Sequence, residues 1–265
     1  MGVSIRSVLA GIPGWEHAAT TELRGGLTNR NWLVDNGRDK AVLKIDDEPR
    51  SAPYNERLRE AEIQGVAAEQ GLANRVLYAD ERALMTEYVE GEVWEPAALA
   101  DEQNLSQLAR ALRRLHALPL TGRSFDSRVA ARRYLNRIDH ADAALVTYCE
   151  RVVETQRLPH NLCCCHNDLV AANIVATPGV LFLDWEYACD NDPLFDLATI
   201  VEHHGLDDVL AGRLLDAYFD GDGERWRSQL ESQKTLYAAL YWMWLASRPD
   251  STQEDLRCAA GRIAG

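Results

Sequence analysis

The sequence predicts an α+β protein in two parts: a small antiparallel-strand region over residues 1–88 and a larger, mainly helical region over 89–265. Three observations carry that prediction. The first part holds short runs of β-branched and aliphatic residues set off by turn residues, with one helical stretch among them. Beyond Gly91 the apolar spacing becomes helical over long stretches. The helical part is then interrupted once, by two turns at 166–173 and 184–187, each preceded by a short apolar run.

Residues 30–34 and 40–45 read as a hairpin closed by the turn residues Asp35-Asn36-Gly37. The stretch 55–70 reads as a helix whose apolar face is Leu58, Ala61, Ile63, Val66 and Ala67, stopped by Gly71. Val76-Leu77-Tyr78 and Leu84-Met85-Thr86 read as two more strands joined across Asp80-Glu81-Arg82. In the second part, 101–118, a stretch around 128–154, 206–219 and 228–247 read as helices. The chain carries no internal repeat and no low-complexity segment.

At 265 residues and 46% apolar, the chain is long enough to bury a substantial core. A net charge of −13 leaves no basic surface to displace phosphate counterions, which argues against a nucleic-acid partner and suits a small cationic substrate. The longest apolar run, 236–246, is too short to span a bilayer, and the N-terminus lacks the pattern of a secretory leader. Arg6 stands where a myristoylation signal wants Ser or Thr. The expectation is a cytoplasmic monomer or homodimer with no membrane or nucleic-acid partner. Cysteines stand at 149, 163, 164, 165, 189 and 258. Adjacent strand residues point to opposite faces, so the 163–165 run reads as buried small hydrophobes and not as converging metal ligands.

The chemistry concentrates in His166-Asn167-Asp168-Leu169-Val170-Ala171-Ala172-Asn173 and Asp184-Trp185-Glu186-Tyr187. Phosphoryl transfer from a nucleotide needs such a set: one carboxylate to accept the proton of an attacking hydroxyl, and an oxygen pair to hold magnesium against the phosphates. Asp168, Asn173 and Asp184 are the catalytic candidates. Gly25-Gly26-Leu27-Thr28-Asn29 lets the backbone approach phosphates and offers donors, although an ordinary hairpin turn fits it as well. It is neither a Walker loop nor a dinucleotide fingerprint. Lys44 closes Ala41-Val42-Leu43-Lys44, the pattern of a strand-borne lysine that reaches nucleotide phosphates. Such a lysine needs a carboxylate partner; Glu60 is expected, and Glu62 stays open, since the two cannot both face the strand. His166 is expected to brace the catalytic loop by hydrogen bonding, and His203-His204 has no metal-ligand spacing. Asp220-Gly221-Asp222-Gly223 lacks the distal Glu of a calcium loop.

These pieces make the chain resemble the choline/ethanolamine kinase group within the aminoglycoside-phosphotransferase-like kinases, which includes bacterial choline kinases and thiamine kinase. The resemblance rests on 25–29, Val42-Leu43-Lys44, 85–91, 166–173, 183–188, Asn191 and Phe195-Asp196-Leu197-Ala198. It implies a bilobal, protein-kinase-like fold in which a five-stranded antiparallel sheet and one main helix cap a helical lobe, with ATP and Mg2+ in the cleft. It implies Asp168 as base, Asn173 and Asp184 as magnesium ligands, and Lys44 with Glu60 as the phosphate-orienting pair. Gly25, Gly26, Thr28 and Asn29 would lie along the nucleotide. The carbonyl of Glu87 and the amide of Val89 would bind the adenine.

The acceptor is less sharply specified. Tyr237, Tyr241 and Trp244 fall at spacings of four and three, one face of a helix. A quaternary ammonium has no N–H to donate and is best held by π faces, each contributing ~0.5–2 kcal/mol. Choline kinases are similar in placing two aromatics three apart on a late helix around their substrate, and Tyr241 and Trp244 fit that placement. Trp185, Glu186 and Tyr187 complete the expected substrate set, with Asp190 and Asp192 adding negative field. Core packing of the stripe is the competing reading. The expected activity is ATP-dependent phosphorylation of a small cationic alcohol, choline first and thiamine second. An aminoglycoside acceptor and an inactive nucleotide-binding pseudokinase are the further alternatives; intact Lys44, Asp168, Asn173 and Asp184 argue against the last.

Overall fold

The structure is a computed structural model that describes residues 4–23, 30–46, 56–139, 141–156, 159 and 161–264. The expected phosphate loop with Gly25, Gly26, Thr28 and Asn29 lies outside them. In chain order the elements are α1 (Ile5–Leu9), β1 (Ala19–Leu23), β2 (Arg30–Asp35), β3 (Lys40–Ile45), α2 (Arg57–Glu69), β4 (Val76–Ala79), β5 (Ala83–Glu87) and β6 (Glu92–Val93). They continue with α3 (Glu102–His116), α4 (Ser127–Leu135), α5 (Ala143–Thr155), β7 (Cys163–Cys165), β8 (Ile174–Ala176), β9 (Val180–Phe182) and β10 (Cys189–Asn191). The last four are α6 (Pro193–His204), α7 (Asp208–Tyr218), α8 (Arg227–Ala246) and α9 (Gln253–Ala264).

Two compact units result, Met1–Trp94 with Ala172–Ala188, and Glu95–Ala171 with Cys189–Gly265. The sequence suggested a single division at 88/89. In the structure β6 pairs with β8, and β8 with β9, so residues up to 94 and the 172–188 hairpin belong to the first unit.

In the first unit an antiparallel sheet runs in the order β1-β2-β3-β5-β4. Alternation along β2 and β3 puts Trp32, Val34, Ala41, Leu43 and Ile45 on one face. That face packs on Leu9, Ile12, Trp15 and Ala18 from the N-terminal segment. Burying each large aliphatic side chain there contributes about 1.5–3 kcal/mol. Lys44 falls on the opposite face by the same period of two. The helix α2 turns inward only part of the apolar face expected: Ile63 and Ala67 are buried, together with Arg57, Glu60 and Gln64, while Leu58 and Val66 are 49% and 40% exposed. The polar groups on that face find partners in the unit, described below, and this outweighs the apolar spacing.

The three-stranded sheet β6-β8-β9 completes the first unit. Gly91 has no alternative here, because a Cβ would lie 2.5 Å from the Ala176 carbonyl oxygen. The Phe182 amide donates to the Leu72 carbonyl at 2.8 Å, which ties the hairpin to the end of α2.

The second unit is helical. Asp101 caps α3 by accepting from the amides of Gln103 and Asn104, and Leu105, Leu108, Leu112 and Leu115 form its buried stripe. The expected helical stretch at 128–154 is two helices, α4 and α5, each capped by its own aspartate, Asp126 and Asp142. The core gathers around α8, with Tyr237, Leu240 and Met243 against Val152, Val153 and Phe195. In this unit two helices lie outside the expected ones, α6 and α9; α6 opens on Pro193 behind the cap Asp192 and closes on Gly205 at φ +62°. Among the described residues no helix is long and apolar enough to cross a membrane.

Candidate active site

In the first unit the β8–β9 hairpin positions two of the candidates. Ile174 pairs with Phe182, and the Leu183 amide donates to the Asn173 carbonyl at 2.8 Å. Asn173 and Asp184 therefore leave the hairpin at the same end. Asp184 sits at φ +64°, a left-handed conformation that costs a non-glycine residue about 1–3 kcal/mol and that recurs at functional turns.

Lys44 Nζ lies 2.7 Å from Asp184 Oδ1 and 3.4 Å from Glu60 Oε1. Glu60 Oε2 accepts from Arg57 Nη1 at 2.5 Å, and Arg57 forks onto Asp46 through Nε at 2.6 Å and Nη2 at 2.9 Å. Asp46, Arg57, Glu60, Lys44 and Asp184 thus alternate in sign, which is what allows buried charges to remain ionised. Burial works against the charge on Lys44, but Asp184 and then Glu60 outweigh it, so its pKa lies above the ordinary lysine value. Arg57 is held charged in the same way, by Glu60 and Asp46 against burial. Glu62 instead points outward to Arg59 at 2.6 Å, its side chain 65% exposed, which leaves Glu60 as the partner. Sequence reasoning missed Arg57 and Asp46. The available signal was Arg57 standing three residues before Glu60, a spacing that brings helix side chains together.

Asn173 and Asp184 offer oxygen donors, and the Asp184 side chain is 30% exposed. A hard, oxygen-only donor set open to solvent fits magnesium, which keeps several waters. At the connecting strand, the Glu87 carboxylate pairs with Arg75 at 3.0 Å. Its carbonyl accepts from Asn74 Nδ2 at 2.7 Å, and Asn74 is in turn held by Gln64 at 2.7 Å. A carbonyl oxygen has a second lone pair, so this bond is compatible with another donor. Val89 is half-buried.

Within the turn 185–187, Trp185 does not fit its expected substrate role. Trp185 is fully buried and its indole N–H donates to the Phe182 carbonyl at 2.9 Å, so a dissolved cation has no access to its ring. Glu186 is 4% exposed, and its carboxylate adds to the field that keeps Lys44 and Arg57 charged. Tyr187 is half-buried on the same turn, against which α2 packs.

In the second unit the loop after β7 is held from behind by Asp196, which is fully buried. Its carboxylate accepts from the amides of His166 at 2.9 Å and Asn167 at 2.7 Å, and lies 3.0 Å from His116 Nε2. The His166 amide thus takes part in the hydrogen bonding expected to brace the loop. Asn167 takes φ +65° and accepts from Asn191 Nδ2 at 2.7 Å. Asp196 and His116 had no predicted role.

Asp168, half-buried, follows this loop. Burial and then the Asp168 carboxylate raise the Tyr237 phenol well above its ordinary pKa, and Asp168 also contributes to raising that of Tyr241. Tyr237, Tyr241 and Trp244 stack in succession along α8, with centroids 5.9 Å apart at both steps. Tyr237 belongs to the core and its hydroxyl meets His203 Nε2; Tyr241 and Trp244 are half-buried. The Arg262 guanidinium lies 5.4 Å over the Tyr241 ring and that of Arg248 4.8 Å over Trp244. Asp190 and Asp192 each have a structural role. Asp190 is spent on the amides of Thr121 and Gly122, and Asp192 on the α6 cap.

Residues 19–229 match the phosphotransferase enzyme family. Protein LicA of Haemophilus influenzae is 31% identical over 218 residues, 77% of this chain and 63% of LicA, so the chain spans less than two thirds of that relative. Among solved structures, choline kinase LicA from Streptococcus pneumoniae is similar with a TM-score of 0.78 at 19% identity, over 98% of this chain and 97% of that one. A choline/ethanolamine kinase family protein from Mesorhizobium loti gives 0.75 at 24% identity, over 98% and 91%. At such identities the structures speak for the fold, which is α+β and protein-kinase-like. The family match extends from the first strand to the start of α8 and takes in Lys44, Asp168, Asn173 and Asp184: the chain belongs to the phosphotransferase enzyme family.

Proposed function

We propose that this protein is an ATP-dependent kinase that phosphorylates the hydroxyl of choline. The observation that carries the reading lies within the second unit: the Asp168 carboxylate is near enough to Tyr237 and Tyr241 to raise their phenol pKa values, so the base and the aromatic stripe share one neighbourhood. The names of the LicA relatives, one of them a choline kinase, support the same acceptor.

In this reading Lys44, held between Asp184 and Glu60, binds nucleotide phosphate. Asn173 and Asp184 would hold magnesium, which when bound neutralises charge on the phosphates. Asp168 accepts the proton of the choline hydroxyl as it attacks the γ-phosphorus and the bond to the bridging oxygen of ADP breaks. Positioning and charge neutralisation carry most of the rate. Tyr241 and Trp244 present π faces to the trimethylammonium group, and choline competes there with the guanidiniums of Arg262 and Arg248.

The test is ADP release against choline, ethanolamine, thiamine and kanamycin, ranked by kcat/KM. Choline is expected first, with turnover abolished and ATP binding retained in Asp168→Ala. A higher rank for thiamine or kanamycin overturns the acceptor, and turnover by the variant overturns the base.

A further inference from the structure

The 163–165 cysteine run is not used by phosphoryl transfer. Neighbours on a strand point apart, but residues two apart share a face. On β7 the thiols of Cys163 and Cys165 lie 3.5 Å from each other on the same side. A ring nitrogen of His116, at the end of α3, joins them, and the three potential ligand atoms all lie within 4.8 Å of one another.

We propose that Cys163, Cys165 and His116 bind a thiophilic divalent ion of the zinc class. Tetrahedral geometry at Zn–S ≈ 2.3 Å separates two sulfurs by about 3.8 Å, close to the separation found between the thiols. With the ligand atoms spread over as much as 4.8 Å, the imidazole has to close on the thiols by about 1 Å to reach a Zn–N bond of about 2.0–2.1 Å. His116 Nε2 faces Asp196 at 3.0 Å, the carboxylate–histidine arrangement that orients metal-bound imidazoles. With Nε2–H donated to Asp196, the lone pair is on Nδ1, where the Tyr218 hydroxyl now donates at 2.7 Å. For the ion to bind Nδ1 the Tyr218 hydroxyl has to swing off it. Cys163 is half-buried while Cys165 is fully enclosed, so a fourth ligand, water, enters from the Cys163 side. As the two S–metal bonds form, two S–H protons leave to solvent, with no change of oxidation state. The site lies beside the catalytic loop, since Asp196 also holds the amides of His166 and Asn167.

The test uses the full chain, reduced and stripped with chelator, titrated with Co2+ as an optical probe and then with Zn2+. One equivalent of Co2+ is expected to give thiolate-to-cobalt charge-transfer absorption with tetrahedral d–d bands, and Zn2+ to erase both. Cobalt at Asn173 and Asp184 would be oxygen-bound and give no charge-transfer band, so the two sites are distinguishable. Cys163→Ser and Cys165→Ala should abolish the signal, while Cys258→Ser, at an exposed cysteine on α9, should keep it. Should Cys165→Ala fail to fold, the half-buried Cys163→Ser still decides. Absence of the band in the wild type, its persistence in Cys163→Ser, or its loss in Cys258→Ser overturns the proposal.

Discussion

Replacing Glu60 by Gln keeps the shape of a buried side chain and removes one charge from the middle of the alternating network. In the folded protein one carboxylate oxygen faces Lys44 at 3.4 Å and the other faces Arg57 at 2.5 Å. At an effective dielectric of 20, those contacts correspond to about 5 and about 7 kcal/mol of gross attraction. Most of this offsets the cost of bringing the charges out of water. A glutamine has one oxygen and one NH2 group, so whichever way the amide turns, a donor confronts either Lys44 or Arg57. Both cations are themselves only donors. Cutting one partner out of a buried network costs about 3–5 kcal/mol, and no cavity term adds to it. Urea unfolding at neutral pH should therefore show Glu60→Gln less stable by about that amount with an unchanged m-value. Glu62→Gln, outside the network, should stay within about 0.5 kcal/mol of wild type. If the two variants unfold alike, the network does not hold the unit together and the reasoning fails.

Asp196→Asn should lose about 2–3 kcal/mol, since one charge-assisted acceptor for the loop amides becomes a donor. It should also lower kcat more than ATP affinity, as read by urea unfolding and steady-state kinetics. Burial first, then Arg262 and His204, push His203 down to about 4. The unfolded chain, with an ordinary histidine near 6.5, therefore binds the proton more readily. The associated stability is complete above pH 6.5 and is lost as pH falls towards 4, a drop of about 3 kcal/mol. His203→Gln should flatten that part of the stability–pH profile, and an unchanged slope counts against it. If the π faces hold choline, Trp244→Ala should raise the choline KM by about 2- to 30-fold, equivalent to ~0.5–2 kcal/mol, with the ATP KM little changed. Equal changes in both would put Trp244 outside the acceptor site.

The strands around Lys44 were legible because β2 and β3 alternate, and alternation alone decides which face a lysine occupies. The turns at 166–173 and 184–187 were legible because each follows a short apolar run, β7 and β9. Helix α2 was found, with Ile63, Ala67 and Glu60 turned inward as expected but Leu58 and Val66 exposed. Its buried face also carries Arg57, Glu60 and Gln64, whose partners Asp46, Lys44 and Asn74 come from other elements. The α8 stripe was seen as one face, but not that its first ring is core while the next two carry arginines.

The linear order of residues by itself determined the reaction chemistry and the mixed α+β class, because both follow from residue type and local period. Which polar groups are buried, that Asp196 holds the loop after β7, and that Cys163 and Cys165 face His116 were decided only by the tertiary structure. Asp196 and the Cys163–Cys165–His116 cluster depend on partners remote in the chain, which residue type and local period do not specify.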